Sequence, residues 1–158
     1  MVKYIEAIEY WAADIEIGCE EKIFMAGGIT NCPDWQQDIR KMLNDTDLVL
    51  FNPRRENFPI HDPNASRVQI TWEFDHFKWS DMMMFWFPKE TMCPIVLFEL
   101  GRWSARTEVP IFVGMDPEYQ RRQDVEIQME LIRPKLEISY NLKDMANSIR
   151  RHIGCAEL

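Results

Sequence analysis

A chain of 158 residues, 46% of them hydrophobic and 28% charged, can bury one sizeable core, and this composition is far from the signature of a disordered chain. A formal net charge of -8 and an isoelectric point near 4.9 argue against long nucleic acids and anionic membrane surfaces as partners, since both select basic patches. No apolar run reaches the roughly 18 residues of a membrane span, and the opening Met1-Val2-Lys3 soon turns acidic, unlike a targeting peptide.

Along the chain, Ile5, Ile8, Trp11 and Ile15 come first, in a mixed pattern that fits either an added edge strand or a helical turn. Lys22-Ile23-Phe24-Met25-Ala26 is a short apolar run ended by Gly27-Gly28, the pattern of a buried strand stopping at a tight turn. Helix-start signals in Asn31-Cys32-Pro33-Asp34-Trp35 precede Trp35, Ile39 and Leu43 at helical spacing, which predicts a helix to about Asn44. Leu48-Val49-Leu50-Phe51 reads as a second strand closed by Asn52 and Pro53, and the loop bearing Arg54 and Arg55 leads into a polar connector ending near Ser66. Residues 67–79 match both periodicities. A helix is expected there because Asp81-Met82-Met83-Met84-Phe85-Trp86-Phe87-Pro88 is a stronger buried strand that needs a crossover before it in a parallel sheet.

Thr91 is placed to cap a further helix to about Ala105, with Pro94 tolerated in its first turn. Pro110-Ile111-Phe112-Val113-Gly114 reads as a fourth strand, 117–132 as an amphipathic charged stretch, Leu136-Glu137-Ile138-Ser139-Tyr140 as a last strand and 142–153 as a closing helix. This alternation predicts an α/β protein with a mainly parallel five-stranded sheet and helices on both faces. Cys19, Cys32, Cys93 and Cys155 are widely spaced with no C-x-x-C pair, so they indicate neither a zinc site nor a disulfide framework and fit reduced thiols in a cytoplasmic protein.

Glu99 lies inside the apolar run Cys93-Pro94-Ile95-Val96-Leu97-Phe98-Glu99-Leu100-Gly101, where a buried charge without a partner costs several kcal/mol or more. A Glu on the wet face of a partly buried helix is the plain alternative. Open parallel sheets bind ligands at the carboxyl ends of their strands, beside the point where strand order reverses. Gly27-Gly28, Asn52-Pro53-Arg54-Arg55 and the stretch from Thr91 to Glu99 all follow strands at that edge. The glycine pair lacks G-x-G-x-x-G spacing and is explained equally by a tight turn. Arg54 and Arg55 can be solvated, paired with Glu56, or used on a phosphate or sugar. His61, His76 and His152 sit in no motif, no metal site is indicated, and the methionines and aromatics of 82–87 read as core.

Three elements together resemble the nucleoside 2-deoxyribosyltransferases and the related nucleoside-monophosphate N-glycosidases. They are Ile23-Phe24-Met25-Ala26-Gly27-Gly28, Trp72-Glu73 eight residues before Asp81, and Glu99-Leu100-Gly101, and the resemblance spans about residues 22–115. It implies a flavodoxin-like or Rossmann-like fold in which Glu99 is the nucleophile at the anomeric carbon of a nucleoside. Glu73 matches an aspartate that binds the nucleobase or protonates its ring nitrogen, with Asp75 in reserve. Gly27, Gly28 and Asn52 would shape the sugar and base pocket, and Arg54, Arg55 and Cys93 complete the expected substrate-binding set. The chain departs from the family pattern at Phe24, where many members carry tyrosine, at Glu73 in place of Asp, and at Cys93, where transferases tend to have Asp and monophosphate hydrolases Ser.

The expected activity is cleavage of the N-glycosidic bond of a (deoxy)nucleoside with transfer of the sugar to a free nucleobase, without metal or organic cofactor. Hydrolysis of a nucleoside 5'-monophosphate is the alternative, favoured if Arg54 or Arg55 binds phosphate. A catalytically silent nucleotide-binding module is the alternative of another class. The resemblance further implies a homo-oligomer in one domain: an N-terminal extension over 1–21, the motif-bearing core over 22–115, and a C-terminal helical part over 116–158 at the subunit interface.

Overall fold

The computed structural model describes residues 1–8, 20–59 and 61–158. Trp11, Ile15 and Cys19 lie outside the described residues. Six strands form one parallel sheet: β1 (Lys3–Glu6), β2 (Lys22–Gly27), β3 (Val49–Asn52), β4 (Met82–Phe87), β5 (Ile111–Met115) and β6 (Ile138–Ser139), in the order β1-β3-β2-β4-β5-β6. Among the described residues five helices accompany them: α1 (Trp35–Met42), α2 (Ala65–Trp79), α3 (Pro94–Ser104), α4 (Arg122–Ile132) and α5 (Leu142–His152).

The parallel α/β sheet covered on both faces is as expected, with six strands rather than five. The added strand is β1, which pairs Lys3 to Glu6 with Val49 to Asn52. Its own pattern is weak, and among its residues only Ile5 is fully buried, at 2% exposed. It is recruited by the open ladder of β3, which no local periodicity announces.

Period-two alternation sorts the strand side chains onto two faces. Phe24, Ala26, Phe51, Phe85 and Val113 pack with α2, α3 and α4, whereas Ile23, Met25, Leu50, Met84 and Trp86 pack with α1 and α5. Residues 67–79 are helical, as expected, and α2 begins earlier, at Ala65. It buries Trp72, His76 and Phe77. Asp34 caps α1 by accepting from the backbone N–H of Gln37 at 3.2 Å.

Thr91 does not cap α3. The N-cap is Cys93, held at φ 51° and ψ 52°, and Pro94 takes the first helical position. The residue before a proline is disfavoured in the right-handed helical region, so Cys93 stays outside the helix and the helix starts on the proline, whose fixed φ suits the first helical position. Residues 117–121 form a turn that closes through Arg122 N to Tyr119 O (3.1 Å), so α4 is shorter than the amphipathic stretch. No helix among the described residues is long and apolar enough to cross a membrane.

The chain runs from β2 outward to β3, then returns to β4 on the other side of β2 and continues to β5 and β6. The helix following β2 lies on one face and the helix following β4 on the other. A crevice therefore opens between the carboxyl ends of β2 and β4, where strand order reverses.

Candidate active site

A cavity of about 430 Å³ fills that crevice. Its walls are the β2 turn, the β4–α3 loop and the facing flanks of α2 and α3, with Glu73 and Glu99 both among its lining residues. A second lobe of about 540 Å³, walled by Thr30, Asp34 and the 53–58 loop, shares Gln69 and Glu73 with the first.

Glu99 reaches the cavity through helical spacing. Val96, Leu100 and Trp103 form the buried stripe of α3, and Glu99, three residues after Val96, stands on the flank of that stripe. Its half-buried carboxyl is pushed up to about 8, first by burial and then by the charge of Glu73, with Arg102 opposing. Burial also raises the Glu73 carboxyl, opposed by a hydrogen bond from Gln69. The Gln69 amide nitrogen donates to Glu73 Oε1 and to Pro53 O, both at 2.9 Å. Two carboxyls that repel in a shared, poorly solvated space cannot both ionise freely, so the pair holds a proton into the neutral pH range.

Both glycines are required by close approach. A Cβ on Gly28 would sit 2.5 Å from Pro88 Cγ and 2.9 Å from Thr91 Cγ2, and one on Gly27 would sit 2.3 Å from the Trp35 ring. The Gly28 carbonyl accepts from Trp35 Nε1 at 2.8 Å, which fixes the turn against α1. The Phe24 ring, where a hydroxyl was absent from the sequence pattern, stacks on Phe77 at 3.8 Å and lines the cavity. Cys93 lines it too; burial pushes its thiol up to about 12, so it presents a neutral, weakly polar wall.

The remaining sequence candidates separate. Asn52 does not line the cavity: at 2% exposed it donates to Tyr4 Oη at 2.6 Å and accepts from Arg54 N at 3.0 Å. Arg54 borders the outer lobe, but its guanidinium is used on the protein, donating to Gln36 Oε1 and Pro33 O at 2.9 Å and facing Asp34 at 3.4 Å. Arg55 also borders that lobe, lies 5.7 Å from the Phe58 ring, and makes no hydrogen bond or ion pair among the described residues. Asp75 lines neither lobe.

None of the three histidines lines the cavity; His76 is core, stacked on Trp72 at 3.8 Å, with burial holding it below its usual value. Among the described residues no group of three or more His, Cys, Asp or Glu side chains is placed to hold a metal ion.

Two contributors escaped the sequence reading. Gln69 stands four residues before Glu73, one helical turn away, a signal that was available once α2 was taken as helix. Tyr119 donates to Met92 O at 2.8 Å, which ties the β4–α3 loop to the end of β5. No local pattern announces that contact.

A larger groove of about 720 Å³ lies at the amino ends of β5 and β6. Two of its cations are committed, Arg133 to backbone carbonyls and Arg151 to Glu137 and Glu157, and Lys135 lines it as well. A family model described as nucleoside 2-deoxyribosyltransferase like matches residues 20–119, which spans every wall of the carboxyl-end cavity. No curated protein matches the sequence.

Proposed function

Because the chain belongs to the nucleoside 2-deoxyribosyltransferase-like family, we propose that it cleaves the N-glycosidic bond of a nucleoside and transfers the sugar to another nucleobase. The observation that carries this reading is the pair Glu73 and Glu99, which line one cavity at the switch point of the sheet and are both shifted upward by burial. In the proposed reaction, ionised Glu99 attacks the anomeric carbon; the carbon–nitrogen bond breaks, an ester bond forms, and the departing base takes a proton from Glu73. An incoming base then gives its ring proton to Glu73, attacks the anomeric carbon, and releases the Glu99 carboxylate.

The apolar walls contributed by Phe24, Ile70, Ile95 and Val96 weaken competing solvation of the carboxyls and exclude water from the ester. Gly27 and Gly28 allow the sugar to approach the backbone, and Cys93 and Thr91 border the same position. Mixing the protein with deoxynucleosides and a second free base should give exchanged nucleosides by chromatography, and Glu99→Ala should abolish them. Binding of nucleosides without base release, unchanged by Glu99→Ala, would instead establish a silent nucleotide-binding module.

One observation favours a second reading, hydrolysis of a nucleoside 5'-monophosphate. The Arg55 guanidinium borders the outer lobe without a hydrogen-bond or ion-pair partner among the described residues, and a guanidinium is well suited to phosphate. Release of base from monophosphates alone, sensitive to Arg55→Met, would select it. The family reading also carries a homo-oligomer. Ile95, 65% exposed and lining the cavity, and Phe98, 71% exposed on the same helix, support it, and a clean monomer by light scattering would remove it.

A further inference from the structure

Gln69 has a buried polar atom for which no described residue supplies a partner. The residue is 9% exposed and lines both lobes of the cavity. Its orientation follows from its neighbours: Pro53 O and Glu73 Oε1 are both acceptors at 2.9 Å, so the amide nitrogen must face them and both its hydrogens are used. The amide oxygen, Oε1, is left buried with no hydrogen-bond partner among the described residues. A buried acceptor in that condition loses its hydration without compensation, and a ligand that brings a donor restores it. The same contact assigns the Glu73 oxygens. Oε1 accepts from Gln69, so the proton that an acid must deliver sits on Oε2.

From this arrangement we infer that Gln69 and Glu73 together read the amidine edge of a nucleobase, a ring nitrogen acceptor beside an exocyclic amine, and so select 6-amino purines and 4-amino pyrimidines over their oxo counterparts. This rests on the proposed glycosyl transfer, and it deepens that proposal by naming the substrate class. A leaving base must accept a proton on a ring nitrogen. In adenine, N7 is an acceptor and the neighbouring amine a donor, so Glu73 can protonate the ring while Gln69 Oε1 accepts from the amine. Cytosine offers the same order at its N3 and amine. Hypoxanthine and guanine place a carbonyl oxygen beside N7, acceptor against acceptor, and uracil carries a hydrogen on N3 where the acid needs a lone pair.

Matched pairs test this. Titration calorimetry with free adenine against hypoxanthine, and cytosine against uracil, should show the amino base bound about tenfold or more tightly in each pair, since a site built for a donor rejects an analogue lacking it. Turnover of the corresponding deoxynucleosides should follow the same order. In Gln69→Met, of similar length but without the acceptor, the preference should collapse. Equal or reversed preference in the unaltered protein would overturn the inference, and that comparison needs no variant to fold. Amino-base preference retained in Gln69→Met would overturn the assignment to Gln69. Selective binding of amino bases with no turnover of any nucleoside would sink the glycosyl-transfer reading while the recognition by Gln69 and Glu73 stood.

Discussion

The two ends of the sheet treat their polar side chains in opposite ways. At the amino end Arg133 donates to the carbonyls of Ser104, Val109, Trp103 and Arg106, closing the end of α3 and the turn that leads into β5. At the carboxyl end Arg55 has no such partner among the described residues, Gln69 Oε1 is orphaned, and Glu73 and Glu99 are held above the carboxylate range by burial. Satisfied polar groups stabilise a fold, whereas groups left unsatisfied beside a cavity are stabilised only by something that enters it. The contrast recurs within one dipeptide, since Arg54 is spent on Gln36 and Pro33 while its neighbour is left to the lobe.

The largest expected effect is at Glu99. Glu99→Ala should lower base exchange by about four orders of magnitude or more, as loss of a nucleophile does, with the fold retained by circular dichroism. Glu99→Gln should do the same to activity and also raise the melting temperature at pH 8. A carboxyl whose folded value is raised binds more protons folded than unfolded between its ordinary value of 4.5 and about 8. Stability therefore falls as pH rises through that window, and the neutral amide escapes the loss. A variant equally active, or a gain no larger at pH 8 than at pH 4, would break the contrast at its strongest point.

Arg133→Met probes the other end. It strands carbonyls at the α3 terminus and should lower unfolding free energy by about 2–3 kcal/mol in urea, with kcat/KM changed little. Gly28→Ala forces a Cβ to 2.5 Å from Pro88 Cγ, an overpacking that costs about 1–3 kcal/mol, and should depress activity by displacing the β4–α3 loop. Activity unaffected by Gly28→Ala would separate that loop from the site.

A subtler effect belongs to the coupling between carboxyls. The proposed reaction requires Glu99 ionised and Glu73 protonated, so kcat/KM should pass through a maximum and fall on the alkaline side at about 8, where the pair loses its last proton. Glu73→Gln removes both the acid and the like charge, so the alkaline fall should disappear and a single ionisation below about 8 should remain, alongside a fall in rate. An alkaline fall retained in Glu73→Gln would assign it to another group. The smallest effect is at Arg55: Arg55→Met should leave stability within about 0.5 kcal/mol, since the guanidinium makes no hydrogen bond or ion pair among the described residues, and alter KM for monophosphates only.

Much of this was legible in one dimension. The strands at 22–27, 49–52, 82–87 and 111–115 are apolar runs punctuated by glycine, asparagine or proline, and the flanking helices carry their own spacing. Glu99 stood out because a carboxylate in an apolar helix is costly, and its neighbours Leu100 and Gly101 matched a family pattern. Asn52 lies outside the cavity lining, since an asparagine at a strand end serves backbone turns as readily as ligands. Its partner Tyr4 lies on β1, an edge strand with little local signature. The difference between Arg54 and Arg55 had no sequence signal at all.

Most elements, the order of layers and the family were determined by the sequence alone, because hydrophobic periodicity and turn residues are local properties and the family motif is short. Which polar groups remain unpaired was decided only in three dimensions. Gln69 meets Pro53 across sixteen residues, and Arg133 meets Val109 across twenty-four. Pairing is a matter of distance and direction between chain segments that the sheet brings together, and burial, which sets the charge of Glu73 and Glu99, is a property of the packed whole.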